Sequence, residues 1–135
     1  NQAILNIIKN AIESILTAKD NQLLNNGDKA GEIKIYIQCQ QGEVCISILD
    51  NGIGLPKNIK RLFEPYVTIR KEGVGLGLSI VKKIIEDHEG TLILQHAKPF
   101  KGFEHSGAEV KIMLPIIQPS NDLHLETESN EVNGQ

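Results

Sequence analysis

Two glycine clusters about twenty residues apart constrain this chain more than any other feature. Asp50, Gly52 and Gly54 make D-x-G-x-G within DNGIGLP (50–56), and Gly73, Gly75 and Gly77 make G-x-G-x-G at the head of GVGLGLSIVKKIIEDHEG. Each cluster sits where an extended run meets a turn. Glycine admits positive φ and lets backbone approach a ligand closely. A glycine cluster that opens a helix also aims free N–H groups, and the positive end of the helix dipole, at an anion. The pair points to a nucleotide site, one cluster near a base and the other near phosphates.

The remaining patterning predicts an α+β domain. Residues 1–18 read as an amphipathic helix, with Ile4, Ile7, Ile8, Ala11, Ile12 and Ile15 recurring at three- and four-residue steps toward a core. Residues 20–31 are a polar loop. Residues 32–38 and 43–50 alternate as strands, Ile33, Ile35 and Ile37 on one face and Val44, Ile46 and Ile48 on another, with QQG between them as a hairpin turn. Residues 51–74 are rich in Gly and Pro and long for a connection inside a compact domain, which marks them as functional. A second helix is expected over 75–88, burying Leu78, Val81, Ile84 and Ile85. A second hairpin follows, 91–95 with 108–114, joined by an unusually long connection. The expected fold is a two-layer sandwich, helices on one face of a mixed, mainly antiparallel sheet. Residues 1–117 form the domain and 118–135 a disordered polar tail.

Composition removes several classes. A net charge of −3 argues against a nucleic-acid surface. No apolar run reaches the length of a membrane span and no signal peptide is visible, so the chain is expected to be soluble rather than membrane-inserted. Cys39 and Cys45 lack C-x-x-C spacing and read as two buried thiols of a reducing compartment. The chain opens inside a helical pattern and looks like a piece of something longer.

The first helix carries an unusual polar stripe: Gln2, Asn6, Asn10, Glu13 and Thr17 step by three or four residues along one side. Asparagine is a mediocre helix former because its side chain competes for backbone groups. Two of them one turn apart suit a hard-oxygen cation such as Mg²⁺, which keeps waters and substrate phosphates around it. Taken alone, the stripe reads first as a solvated helix face. Asp50 alone reads as a turn residue in Asp-Asn-Gly.

Taken together, these segments resemble a known family. NQAILNIIKNAIESI is similar to the asparagine box of sensor histidine kinases. DNGIGLP resembles their first glycine box, RLFEPYVTIR their phenylalanine box, and GVGLGLSIVKKIIEDHEG their second glycine box. The four occur in the family's order over residues 1–115. The resemblance implies the ATP-binding sandwich shared with gyrase, heat-shock-90 chaperones and mismatch-repair ATPases, and no P-loop motif occurs anywhere in the chain.

The resemblance also implies roles. Asn10 would be the Mg²⁺ ligand, with Asn6 helping to hold metal and phosphates. Asp50 would accept a hydrogen bond from the adenine amine, with Gly52 and Gly54 making room for the base and turning the chain. Gly75 and Gly77 would offer backbone amides to the phosphates, and Gly73, Leu76 and Leu78 belong to the same nucleotide-binding segment. Arg70, with Lys71 beside it, would reach the terminal phosphate. Phe63, Pro65 and Tyr66 would pack the base of a lid.

The implied activity is transfer of the ATP γ-phosphoryl to a histidine on a separate dimerisation domain of the same parent protein, with a response regulator downstream and this domain in the cytoplasm whether or not the parent is anchored in a membrane. Related ATPases carry a glutamate base four residues before the metal asparagine; here that residue is Asn6. Other readings of the same fold are an ATPase or chaperone module, a serine kinase, or a non-catalytic scaffold. Glu89 stands where the family often has glycine, a departure of little expected consequence. His88 is expected to be a core or capping residue, and His96, His105 and His124 carry no motif. The short lid and long last hairpin are similar to the nitrogen-regulation sensor branch.

Overall fold

A computed structural model describes residues 2–58 and 77–116. Two helices cover one face of a four-stranded antiparallel sheet. In chain order these are α1 (Gln2–Asp20), β1 (Ile33–Gln40), β2 (Glu43–Asp50), α2 (Gly77–Asp87), β3 (Thr91–His96) and β4 (Ala108–Pro115). The spatial order is β1-β2-β4-β3. The expected sandwich is therefore present. The expected tail at 118–135, together with Phe63, Pro65, Tyr66, Arg70, Lys71, Gly73, Gly75 and Leu76, lies outside the described residues.

Local chemistry sets the element ends. β1 and β2 turn back through Gln41 and Gly42, both at positive φ (50° and 78°), the geometry that matches strand twist in a two-residue hairpin. Both helices close with the paired backbone bonds of a Schellman cap. In α1, Leu23 N–H reaches Ala18 O and Gln22 N–H reaches Lys19 O. In α2, Gly90 N–H reaches Ile85 O and Glu89 N–H reaches Glu86 O.

The left-handed cap residues are Gln22 (φ 65°) and Glu89 (φ 60°), neither a glycine. Glu89 thus has more consequence than its sequence context suggests, because a side chain in that conformation costs about 1 kcal/mol. His88 supports the same terminus by bonding Ile84 O through Nδ1 at 2.8 Å; it is an exposed capping residue and not part of the core.

The core lies between the helices and the middle of the sheet. Ala3 and Ile7 from α1, Val81 and Ile85 from α2, Ile48 from β2 and Ile112 from β4 form one buried cluster. On α1 the buried stripe is Ala3, Ile7, Ala11, Ser14 and Ala18. Ile12, expected to face inward, is 46 % exposed, because small residues at 11, 14 and 18 bring the helix axis close to the sheet and turn Ile12 outward.

The register changes two other expectations. Ile35 pairs with Ile48 and Ile37 with Ile46, so the two isoleucine rows share one face rather than occupying two. On that face the helices cover β2 but leave Ile35 and Ile37 half or more exposed at the sheet edge. The cysteines are not two buried thiols either. Cys39 is exposed on the edge strand and Cys45 half-buried on the opposite face, and both are free.

Candidate functional site

Asp50 ends β2 on its core-facing side and is 5 % exposed. Its Oδ1 accepts the Gly52 N–H at 2.9 Å and the Ser14 hydroxyl at 3.5 Å. Burial raises its pKa above the ordinary carboxylate value, and the backbone N–H groups of Gly52 and Ala108 and the Ser14 hydroxyl counter part of that rise.

The loop that follows is pinned on several sides. Asn51 is 1 % exposed. Its carboxamide accepts the Glu32 N–H at 2.7 Å and donates to Ala30 O at 3.0 Å, tying the loop to the entry of β1. His105 Nε2 meets Asn51 O at 2.9 Å, which brings the long β3–β4 connection onto the same turn. Ile53 N–H donates to both the hydroxyl (3.1 Å) and the carbonyl (3.3 Å) of Ser14.

The glycines explain how so much backbone converges. A Cβ on Gly52 would run into the Ser14 hydroxyl and stand 2.8 Å from Ile15 N, so Gly52 lets the turn lie directly on α1. Close packing on the helix is one requirement that position meets. Gly54 does turn the chain, at φ 82°, beneath the Ser106 carbonyl. Gly107 is the tightest of all: a Cβ there would overlap the Asp50 carbonyl.

Below this turn opens a pocket. Ile7, Ile48, Leu78, Leu94 and Val110 wall it, and Asn10, Ser14 and Asp50 are its polar side chains. Gly54 and Leu55 complete the rim beneath Asp50. The structure thus brings Asn10, Asp50, Gly54 and Leu78 to one cavity. Gly77 opens α2 beside it, where a Cβ would stand 3.6 Å from the Asn10 carboxamide oxygen. Asn10 and the N-terminus of α2 are therefore adjacent. Asn6 is half-buried one turn earlier and does not line this pocket.

Four residues that organise the site carry no sequence expectation: Ser14, Asn51, His105 and Gly107. Ser14 left a signal, being the single hydroxyl in the apolar stripe of α1. The contacts of the other three depend on pairings distant in the chain.

The sequence profile of the family described as histidine kinase-, DNA gyrase B- and HSP90-like ATPase matches residues 1–118. This chain belongs to that family. The nitrogen regulation protein NtrY of Azorhizobium caulinodans is 43 % identical over 104 residues, 75 % of this chain but 13 % of NtrY. Sporulation kinase E of Bacillus subtilis is 35 % identical over 123 residues, 90 % of this chain and 14 % of the kinase. The chain thus spans about one-seventh of these relatives. Among solved structures, the mycobacterial sensor histidine kinase MprB superposes with a TM-score of 0.63 at 27 % identity, covering 84 % of this chain and 70 % of that one. A nucleotide-free catalytic domain of histidine kinase ThkA gives 0.62 at 28 % identity, over 84 % of this chain and 65 % of its own. The asparagine and glycine boxes thus sit in a family member with the expected fold. Among the described residues, no helix is long and apolar enough to cross a membrane.

Proposed function

We propose that this chain is the ATP-binding catalytic module of a sensor histidine kinase, which holds Mg-ATP and offers its γ-phosphoryl to a histidine on a separate dimerisation domain. The carrying observation is the pocket itself: a mainly apolar lining that includes a buried carboxylate and a carboxamide beside a helix N-terminus.

The chemistry of the lining suits a planar base. Leu78, Leu94, Ile48 and Val110 offer apolar walls, and Asp50 offers an acceptor to an exocyclic amine. Guanine presents a carbonyl at that point, leaving the carboxylate unpaired, so adenine is preferred.

Asn10 fits a divalent cation that takes one protein oxygen and completes its shell with phosphates and water. Bound Mg²⁺ would neutralise phosphate charge during transfer. The first turn of α2, from Gly77, directs N–H groups toward the same anions. Arg70 and Lys71 are assigned to the terminal phosphate, and Asn6 to support of Asn10.

The nature of Asn6 favours a kinase over an ATPase. A neutral amide cannot take a proton from water, so water attack has no base at the position where related ATPases carry glutamate. ThkA has been solved with the response regulator TrrA; by analogy, a response regulator would receive the phosphoryl group after the kinase histidine. A cytoplasmic location fits this chemistry, since ATP and the regulator are found there.

The test is calorimetric titration of Mg-ATP into the chain, beside an Asp50→Ala variant and an EDTA control. Saturable binding that weakens at least 100-fold in the variant and falls with EDTA is expected. Equal binding by wild type and variant would remove Asp50 from the site. Transfer to an added histidine domain, giving an acid-labile phosphoprotein, separates a histidine kinase from a serine kinase.

A further inference from the structure

We propose that Ser14 is a positioning residue of the base site, setting the orientation of the Asp50 carboxylate and with it the discrimination between bases. This inference rests on the ATP-binding reading above.

Ser14 is 3 % exposed and sits on the buried face of α1, in a stripe otherwise made of Ala3, Ile7, Ala11 and Ala18. Core packing alone asks for another alanine there. A buried hydroxyl persists in such a place only when its hydrogen bonds are satisfied. Here they are, and all of them lead to the site. The hydroxyl accepts the Ile53 N–H at 3.1 Å and donates to Asp50 Oδ1 at 3.5 Å, while the Ser14 carbonyl accepts the same Ile53 N–H at 3.3 Å. Ser14 also lines the pocket.

The geometry makes Ser14 a link between two parts of one hydrogen-bonded unit. Asp50 Oδ1 is held from the turn by the Gly52 N–H (2.9 Å) and from the helix by Ser14. Two donors on one oxygen restrict rotation of the carboxylate about its last bond. With rotation restricted, the ligand amine meets an acceptor already aimed, and a ligand carbonyl meets one that cannot turn away. Gly52 secures the arrangement, because any side chain there would displace the Ser14 hydroxyl. Selectivity at this site therefore needs both the charge of Asp50 and its fixed direction, and Ser14 completes the second beside the Gly52 and Ala108 N–H groups.

The experiment compares ATP and GTP affinity, by competition with a fluorescent ATP analogue, in the wild-type chain, Ser14→Ala, Asp50→Asn and the double variant. Melting temperatures are recorded for each. In Ser14→Ala we expect ATP affinity to fall about tenfold, GTP affinity to change less than threefold, and the ATP-to-GTP ratio to drop accordingly. In the Asp50→Asn background the same serine change alters the ratio by less than twofold, because its route to the base is already removed.

A merely structural serine would weaken both nucleotides by one factor, leave the ratio intact, and add that factor again in the Asp50→Asn background. Either result, or unchanged ATP binding in Ser14→Ala, overturns the proposal. If the wild-type chain binds neither nucleotide while melting cooperatively, the ATP reading itself fails and the proposal with it. If it binds both with a ratio near one, base selection by Asp50 fails before Ser14 is considered.

Discussion

β1 and β2 carry the same alternating apolar pattern and face the same side of one sheet, yet their fates differ. Ile48 of β2 is 2 % exposed, whereas its cross-strand partner Ile35 is 51 % exposed and Ile37 is 66 % exposed. α1 packs along β2, and β2 is hydrogen-bonded on both sides, to β1 and to β4. Among the described residues β1 has one such neighbour, and only its Ile33 packs against the core that the helices form, leaving Ile35 and Ile37 uncovered. Alternation thus decides which side chains share a face, and a neighbouring element decides whether that face is dry. The difference matters for function because Asp50 ends β2, inside the covered half. Its burial, its raised pKa and its apolar surroundings all follow from that placement.

The largest effect should come from breaking the close approach that seals the covered half. Gly107→Val would force a side chain into the Asp50 carbonyl; we expect a loss of about 4 kcal/mol or more, read as a chain with no cooperative melting transition. Next is the packing contrast itself. Ile48→Ala should cost about 3 kcal/mol in urea unfolding, since the residue is fully enclosed by the core.

A smaller effect concerns Asp50 and pH. Its folded pKa lies above the ordinary 3.8, so the folded state holds the proton more tightly than the unfolded chain. The stability tied to that proton is fully present below about pH 3.8 and is lost as pH rises through the folded value. Asp50→Asn imitates the protonated form, so it should match wild type in acid and melt higher than wild type at neutral pH, while binding ATP more weakly. Melting curves from acid to neutral pH check this; a variant that melts lower at pH 7 contradicts it.

The smallest effect should be at the edge: Ile37→Ala changes stability by less than about 0.5 kcal/mol. A cost close to that of Ile48→Ala would show that something covers the edge in solution and would break the contrast.

The sequence carried a good deal of this. The strands and helices lie within a few residues of their expected positions, because alternation and three-to-four spacing report directly on which side chains face together. Asn10, Asp50, Gly54 and Leu78 meet at one pocket as the glycine and asparagine patterns imply. Less visible was the reason for Gly52, which serves the approach of the turn to Ser14, and the outward turn of Ile12, which depends on how deeply small residues let α1 settle.

By itself, then, the order of residues determined the elements, the family and the chemistry of the pocket, since periodicity, glycine conformation and side-chain functional groups are local properties. Tertiary structure alone decided which of two matching strands is buried and why Gly107 admits no side chain. It also decided that His105 and Asn51 brace the turn after Asp50 and that a serine on the first helix touches the carboxylate thirty-six residues away. These outcomes depend on distances between segments remote in the chain, and such distances are set only when the layers pack.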